Sequence, residues 1–545
     1  MLPADERVTS FGKSGRWCWI ALALVIICSA IIRGRLLAMP LERDEGEYAY
    51  IAQQMLQGVP PYVSAYSMKL PGIYAVYALI LAAFGQTHIA IHLGLIIFNA
   101  ATIFVIFLLA RRLLGGLAGV AGACAYAIMS CAGPALGLTA NAEHFVLLPA
   151  LIGIFLIAGP AGRHRLAVVF IAAVLLGLAF IIKQHGIFFA VFGGAYLLYC
   201  DLRHRPIQWK RSIITQLVFV VGAVMPFALV CLFFQHIGVF DKFWFWTFTY
   251  PRVYVTVVPL SEVPRLFVVN FKPIVTETIL IWLFALLGLF RVLLSGRIRG
   301  HAPFIIGLLV FSFLAVCPGL YFRWHYFILF FPAVAVAAGA GFDGFSNLFV
   351  RLGSRPRRGV AIALAGLTII GFSLFQQRLY LFELTPTDVA HLFYDGNPFP
   401  ESLEIAEYLK QNSSPDDTVA VIGSEPQIYF YSNRRAATSY LYVYQLMEPC
   451  DYALATQMQT EMIQEIESAK PEWIVFVSVQ GSWIKRPDSV TIIFDWVMGY
   501  VENFYDTVGI IDMPPYEQTI YRWNEQAADY TPAAVHWIAV YKRKH

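Results

Sequence analysis

The sequence contains 545 residues, of which 58% are hydrophobic and only 14% are charged, and its mean hydropathy is +0.63. Ordinary soluble chains contain about 25% charged residues, so this composition predicts an integral membrane protein. The net charge of +4 arises from 39 basic and 35 acidic residues, a balance that excludes nucleic-acid recognition as a first interpretation. The eight cysteines show no CxxC or Cys/His spacing, which argues against a disulfide framework or a structural zinc site.

Apolar stretches long enough for transmembrane helices recur along the chain, given that about 20 apolar residues cross a bilayer. Eleven spans are predicted, near residues 17–38, 88–110, 115–133, 140–159, 166–182, 186–200, 213–235, 274–294, 303–317, 325–342 and 359–380. The first is too long and too uniformly apolar for a cleaved signal peptide, so we expect it to remain as an anchor. A further apolar stretch at 71–84 is too short to cross comfortably and is predicted to lie on the outer leaflet.

Clusters of basic residues between the apolar stretches predict the orientation, since Lys and Arg are enriched in cytoplasmic loops. With eleven spans, all of these clusters lie on the side of the N-terminus, at residues 111–112, 163–165, 203–211, 291–299 and 351–358. We therefore expect a cytoplasmic N-terminus and a transmembrane domain over 1–383 in the plasma (inner) membrane. The outer face then carries the loops 39–87 and 236–273 and an extracytoplasmic domain over 384–545.

The C-terminal part changes composition and gains polar residues, which is typical of a soluble α/β domain. Its pattern predicts a helix at Glu401–Gln411, a strand at Thr418–Gly423, a helix near Ala455–Ser468 and a strand at Trp473–Val479. The predicted fold class is thus a polytopic helical membrane protein with a C-terminal α/β domain.

Four carboxylates follow the first predicted span, at Glu42, Asp44, Glu45 and Glu47, and precede apolar residues at helical spacing. This pattern predicts an amphipathic helix at the membrane surface. Asp44 followed by Glu47 fits a helix-capping pattern, which is one interpretation. The other is that Asp44 acts as a general base on an acceptor hydroxyl or amine. Lys69, before Leu70-Pro71, either snorkels at the interface or contacts a phosphate or carboxylate at headgroup depth.

The segments DEGEYAYIAQQMLQG and KLPGIYAVYALILAAFG, followed by a span ending in ARRLLGG, resemble the N-terminal region of GT-C glycosyltransferases. The resemblance is to the dolichyl-phosphate-mannose protein mannosyltransferases and the lipid A aminoarabinose transferases, and it extends over residues 15–380. It implies a sugar donor linked to polyprenyl phosphate, used on the non-cytoplasmic face, with Asp44 as catalytic base. Glu45 is placed with Asp44 in the catalytic set, and Lys69 matches the family's lysine. Where the family tends to carry an arginine, this chain has His88 and His92, so His92 is a candidate for a phosphate contact that depends on protonation.

Polar residues near the predicted membrane surface are further candidates, because ionisable groups at membrane depth are costly. Glu143 matches the family's second acidic position, although a helix N-terminal acid is an equally good explanation. Lys183 lies in a predicted outer turn, against the positive-inside trend, and is a phosphate candidate. Arg323 and Tyr326 fall in CPGLYFRWHY, which resembles the family's P-G-x…R-x-x-Y stretch; an arginine there can grip a phosphate with two hydrogen bonds.

The leading hypothesis is an inverting sugar transfer from a polyprenyl-phosphate donor to a protein, lipid or glycan acceptor. A secondary transporter or lipid flippase with an external domain would also have many spans and intramembrane charges. A membrane scaffold would explain the tail but not the carboxylate and lysine pair. Since no DxD motif marks a nucleotide-sugar metal site, we expect no cofactor and no bound catalytic metal, while a divalent cation stays open.

Overall fold

The computed structural model describes residues 15–159, 165–203, 205–255, 258–296, 298–352, 355–447, 452–515 and 517–544. Parts of the predicted cytoplasmic clusters, at 163–164, 204, 297 and 353–354, lie outside the described residues. The chain divides into two compact units. The helical unit comprises the described residues of Met1–Leu36, Leu93–Val230 and Leu260–Leu384. The α/β unit comprises those of Leu37–His92, Cys231–Pro259 and Thr385–His545.

The helical unit is built from apolar helices. Its α-helices are Arg16–Gly34, His88–Leu114, Gly116–Met129, Ala142–Ile157, Arg165–Ile182, Ile187–Leu202, Trp209–His236, Val263–Glu277, Ile279–Leu294, Ala302–Leu314, Phe331–Ser346 and Arg355–Gln376. Short 3-10 turns connect several of them, including Gly133–Ala135, Gln184–Gly186, Pro318–Leu320 and Trp324–Leu329.

Within the described residues, six helices are long and apolar enough to cross a membrane. The count is seven if Val263–Glu277 and Ile279–Leu294, which meet at a 96° bend, form one span. Four other apolar helices, including Gly116–Met129 and Ala142–Ile157, are shorter than the length that crosses a bilayer. The chain is an integral membrane protein, but the predicted count of about eleven spans is not confirmed, because several of the predicted spans form such short helices.

Small residues let two helices of this unit pack closely. A Cβ atom added at Gly288 would lie 1.8 Å from the Ala337 carbonyl oxygen, and one added at Gly341 would lie 1.9 Å from that of Phe284. Both distances are far below van der Waals contact, so helices Ile279–Leu294 and Phe331–Ser346 require glycine at these two positions.

The α/β unit contains a six-stranded sheet with strands β1 (Thr418–Ile422), β2 (Arg435–Ala436), β3 (Trp473–Ser478), β4 (Tyr505–Asp512), β5 (Ile520–Trp523) and β6 (Trp537–Arg543). The strand order is β2-β1-β3-β6-β4-β5. β2, β1 and β3 run parallel, whereas β6 pairs antiparallel with β3 and β4, and β5 pairs antiparallel with β4. The small C-terminal sheet confirms the predicted α/β character of this part of the chain.

The α/β unit also contains helices in each of its three chain segments. They are Arg43–Leu56, Gly72–Phe84, Phe240–Trp244, Tyr250–Tyr254, Pro386–Phe393, Glu401–Asn412, Gln427–Ser432, Tyr444–Met447, Tyr452–Ala469, Gln480–Trp483, Ile492–Phe504 and Glu525–Ala528. The two helices and two strands predicted in the tail agree with Glu401–Asn412, β1, Tyr452–Ala469 and β3. The predicted outer-leaflet stretch forms helix Gly72–Phe84, and its place at the leaflet stays a prediction.

Helix Arg43–Leu56, which we call the acidic helix, is almost entirely buried within the α/β unit. It packs against Gly72–Phe84 and against Gln427–Ser432. A Cβ atom at Gly46 would lie 2.7 Å from the backbone nitrogen of Gln427, so the close approach of these backbones depends on glycine. This contact sets the acidic helix directly on the C-terminal part of the chain.

Candidate active site

The acidic helix is capped by Glu42 rather than by Asp44. The Glu42 carboxylate accepts hydrogen bonds from the backbone N–H groups of Asp44 (3.0 Å) and Glu45 (3.3 Å). In return, the Glu45 carboxylate accepts from the backbone N–H of Glu42 at 3.0 Å, which completes a capping box. The interpretation in which Asp44 caps this helix is therefore wrong, and its carboxylate is available to other groups.

Side chains from three segments of the α/β unit donate hydrogen bonds to the Asp44 carboxylate. Lys69 Nζ lies 3.0 Å from Oδ2, and the Tyr442 hydroxyl lies 2.8 Å from Oδ1. The Tyr48 hydroxyl, one helical turn after Asp44, makes a longer contact of 3.3 Å with Oδ2. These donors fix the orientation of the carboxylate.

The pair formed by Asp44 and Lys69 is sheltered but reachable from solvent. The two side chains keep 16% and 19% of their exposure. Two hydrogen bonds fix the Lys69 backbone: the Tyr62 hydroxyl donates to its carbonyl at 2.6 Å, and its N–H donates to the Ser67 hydroxyl at 3.2 Å. The backbone of Lys69 is thus held in place by two side chains of its own loop.

Glu45 and His92 form a buried pair behind the start of the acidic helix. His92 Nδ1 lies 2.9 Å from the Leu37 carbonyl oxygen, and Nε2 lies 3.1 Å from Glu45 Oε1. A carbonyl oxygen only accepts hydrogen bonds, so His92 Nδ1 carries a proton. A hydrogen bond between Nε2 and the Glu45 carboxyl group requires a second proton between these two groups. Since Glu45 is fully buried and His92 is 4% exposed, this geometry favours positioning roles for both; their predicted catalytic and substrate-binding roles stay predictions.

Glu47 is a fully buried carboxyl one helical turn after Asp44. Neither of its oxygens makes a hydrogen bond of ordinary geometry to a described residue. Burial raises the pKa of this carboxyl to about 8, although the Lys69 ammonium and the Ser67 hydroxyl oppose the shift, and the Asp44 charge adds to it. The raised pKa favours the protonated, neutral form of Glu47 at neutral pH.

A second buried ion pair joins the acidic helix to the C-terminal part of the α/β unit. Arg43 Nη2 lies 3.1 Å from Glu425 Oε1, and Arg43 Nε donates to the Ser424 carbonyl at 2.6 Å. The guanidinium also lies over the rings of Phe399 and Tyr444, 5.4 and 5.8 Å from their centroids. These contacts tie the start of the acidic helix, beside Asp44, to the C-terminal part of the unit.

In the helical unit, Glu143 and Lys183 form a buried ion pair at the first turn of helix Ala142–Ile157. Glu143 is fully buried and Lys183 is 4% exposed. His325 Nε2 lies 3.8 Å from Glu143 Oε1, while Glu143 Oε2 has no hydrogen-bond partner among the described residues. Lys183 Nζ also lies 4.4 Å from the centroid of the Tyr326 ring. The structure thus brings together three predicted residues: Glu143, Lys183 and Tyr326.

Two further side chains are near this cluster: His185 contacts Tyr326, and Arg323 is an exposed residue of the same chain segment as His325. His185 Nδ1 is 2.7 Å from the Ala315 carbonyl oxygen, and its ring contacts that of Tyr326 at 4.6 Å between centroids. Arg323 precedes His325 by two residues in the chain, is exposed, and lies over the Tyr321 ring at 5.1 Å. A planar guanidinium can donate two parallel hydrogen bonds to a phosphate.

Sequence reasoning missed Tyr442 and Glu47 as functional candidates. Glu47 could have been found, because a residue three positions after Asp44 lies on the same face of a helix. Tyr442 lies 398 positions from Asp44 in the chain, and no local pattern marks it.

A metal site was not expected. In the part of the chain that the structure describes, no group of three or more His, Cys, Asp or Glu side chains is placed to hold a metal ion. The absence of a catalytic metal stays a prediction.

Comparison with known proteins gives one family match and several structural matches. The sequence model of the dolichyl-phosphate-mannose-protein mannosyltransferase family matches residues 68–233, which is less than half of the chain. No curated protein matches the sequence.

Two solved structures illustrate the similarity of fold. ArnT from Cupriavidus metallidurans, bound to undecaprenyl phosphate, is 15% identical, with a TM-score of 0.59 over 97% of this chain and 98% of that one. The oligosaccharyltransferase AglB from Archaeoglobus fulgidus, in complex with an inhibitory peptide and a dolichol-phosphate, is 13% identical, with a TM-score of 0.54 over 95% of this chain and 75% of that one. The chain therefore has the GT-C fold, and the predicted resemblance to the mannosyltransferase and ArnT families is confirmed.

Proposed function

We propose that this protein transfers a hexosyl or pentosyl group from a polyprenyl-phosphate donor to an acceptor on the non-cytoplasmic face of the plasma (inner) membrane. The observation that carries this proposal is the Asp44 carboxylate, which is released from capping, oriented by three donors and paired with Lys69 at a reachable site. The fold and the family match over residues 68–233 support the same reaction class.

In the proposed step, Asp44 accepts the proton of an acceptor hydroxyl or amine. The acceptor atom attacks the anomeric carbon on the side opposite the phosphate, and the bond from that carbon to the phosphate oxygen breaks. Polyprenyl phosphate leaves with the bonding electron pair, so one displacement inverts the anomeric centre. Positioned general bases contribute about 10²–10⁴-fold to such steps.

Cationic side chains stabilise the leaving phosphate in this scheme. Lys69 pairs with Asp44 at 3.0 Å and brings a compact positive charge to the site. In the helical unit, Lys183 and Arg323 are proposed for donor phosphate binding, and Glu143 and Tyr326 for holding Lys183 in place. The scheme requires no cofactor, because fixed positive charges supply the electrostatic stabilisation.

The test is sugar transfer by purified protein in detergent, with a radiolabelled polyprenyl-phosphate sugar and candidate protein, lipid and glycan acceptors. We expect Asp44→Asn to lower transfer by about 10²–10⁴-fold while the protein folds normally, since the cap is Glu42. Glu404→Gln, which changes an exposed acid on helix Glu401–Asn412, is the matched control and should keep full activity. Near-normal turnover by Asp44→Asn would refute the role of Asp44.

The same preparation tests the transporter alternative. In sealed proteoliposomes, a flippase would move the labelled lipid between leaflets without forming a glycosylated acceptor. A product with the anomeric configuration of the donor retained would refute the single displacement.

A further inference from the structure

Glu47 is a carboxyl group that the proposed reaction does not use, although it lies beside the groups that do. The acidic helix places it one turn after Asp44, and both the Lys69 ammonium and the Ser67 hydroxyl act on its carboxyl group. Asp44 and Lys69 are the charged groups that act on Glu47, and the Tyr62, Tyr74 and Tyr442 hydroxyls complete its titratable surroundings.

The surroundings of Glu47 are unusual for a buried acid. Its two oxygens lack hydrogen bonds of ordinary geometry among the described residues, and so does the nearby Tyr74 hydroxyl. A buried carboxylate without donors is costly, whereas a buried neutral carboxylic acid is much less so. The burial of Glu47 therefore maintains its neutral form near neutral pH.

The charge of Glu47 determines what the Lys69 ammonium can contact. With Glu47 neutral, Asp44 and Lys69 carry one negative and one positive charge, and the ammonium is shared between Asp44 and any bound anion. With Glu47 ionised, two carboxylates share that ammonium, and their combined charge repels an anion.

On the basis of the function proposed above, we propose that Glu47 is a positioning residue that acts through Lys69. As a neutral acid it leaves the Lys69 ammonium to Asp44 and to the phosphate of the lipid donor; as a carboxylate it draws the ammonium away and weakens donor binding. The site thus favours an anionic donor only while Glu47 holds its proton.

The test is the pH profile of transfer with the labelled polyprenyl-phosphate donor. For a group with a pKa of about 8, kcat/KM for the donor should fall about tenfold between pH 7 and pH 9 in the wild type, with a smaller change in kcat. Glu47→Gln mimics the neutral acid and should keep its kcat/KM within about twofold over that range. Ser67→Ala removes a hydroxyl that lowers the pKa of Glu47, so its alkaline fall should move to higher pH.

Each outcome decides the proposal. The same alkaline fall in the wild type and in Glu47→Gln would overturn it, and so would an alkaline fall confined to kcat. If Glu47 had only a structural role, Glu47→Gln would lower activity by the same factor at every pH.

A second measurement separates this proposal from the proposed function. If the wild type transfers no sugar at any pH, the proposed function fails, and thermal unfolding of the same proteins still tests the proton on Glu47. The folded-state pKa of about 8 lies above the ordinary value of 4.5, so the stability that Glu47 contributes is lost as pH rises towards 8. The unfolding midpoint of the wild type should fall over this range more than that of Glu47→Gln; parallel curves would overturn the proposal.

Discussion

Two pairs of a lysine with a carboxylate, one in each unit, differ in how far water can reach them. Asp44 and Lys69 keep 16% and 19% of their side-chain exposure, whereas Glu143 and Lys183 keep 0% and 4%. A partly exposed carboxylate can exchange a proton with an arriving acceptor. A fully buried one that loses its partner is left as an uncompensated charge. Burial, and not the identity of the two residues, therefore separates a pair suited to proton transfer from one suited to holding a fixed charge.

Breaking the buried pair should have the largest effect on stability. In Lys183→Met, Glu143 is left buried without its partner, and the free energy of unfolding should fall by about 3–5 kcal/mol. In Lys69→Met, the loss should be about 1 kcal/mol, because the pair is partly solvated. Chemical unfolding of both variants in the same detergent measures the difference. Equal losses would contradict the comparison, and adding Glu143→Gln to Lys183→Met should restore most of the stability.

Arg323 tests whether the exposed surface beside the buried pair binds the donor. A hydrogen bond to a charged group contributes about 1.5–3 kcal/mol, so Arg323→Ala should lower kcat/KM for the donor by about tenfold to a hundredfold. Arg323→Lys should keep part of the activity, because lysine retains the charge but loses the planar fork. Donor titrations with both variants provide the measurement. An unchanged donor dependence in Arg323→Ala would shift the phosphate role to Lys69 and Lys183.

A variant of Tyr442 tests whether its hydrogen bond orients Asp44 in the partly exposed pair. Tyr442→Phe removes the 2.8 Å hydrogen bond to Asp44 and should lower transfer about tenfold, equivalent to about 1.5 kcal/mol. Tyr530→Phe removes a Tyr–Asp hydrogen bond of the same length, to Asp512, elsewhere in the same unit. This control should leave transfer unchanged, and similar losses in the two variants would mean that Tyr442 acts only through stability.

The cap of the acidic helix should give the smallest effect. Glu42→Ala removes the capping box and should cost about 1 kcal/mol of unfolding free energy. Thr385→Ala, at the capping box of helix Pro386–Phe393, should cost a similar amount without affecting transfer. Unfolding curves compare the two variants. An unchanged free energy of unfolding in Glu42→Ala would contradict the assignment of the cap.

Secondary-structure elements that have a pattern within a short stretch of sequence could be predicted. The tail strands near Thr418 and Trp473 are short apolar runs bounded by polar turns, and their ends agree with β1 and β3 to within one residue. Asp44 and Lys69 were each identified as candidates from the sequence, and their contact at 3.0 Å is known only from the structure. The spans were harder to predict, because apolar stretches such as 115–133 form helices too short to cross a bilayer unaided.

Details that depend on folding could not be predicted in the same way. Four acids in six positions offer more than one capping box, and the choice of Glu42 with Glu45 follows from where the chain enters the helix. The contact between His92 and Glu45 requires two distant helices to meet. Tyr442 reaches Asp44 only because the C-terminal segment packs on the acidic helix, which no single stretch of sequence records.

The dependence of Asp44 on Tyr442 also has a consequence for the timing of synthesis. During translation, the acidic helix is made first, and Gln427, against which Gly46 packs, and Tyr442 are added nearly four hundred residues later. Contacts of such large sequence separation form late in folding. While the chain is still being made, Asp44 therefore lies in an incomplete setting, and its surroundings are completed only after Tyr442 has been added.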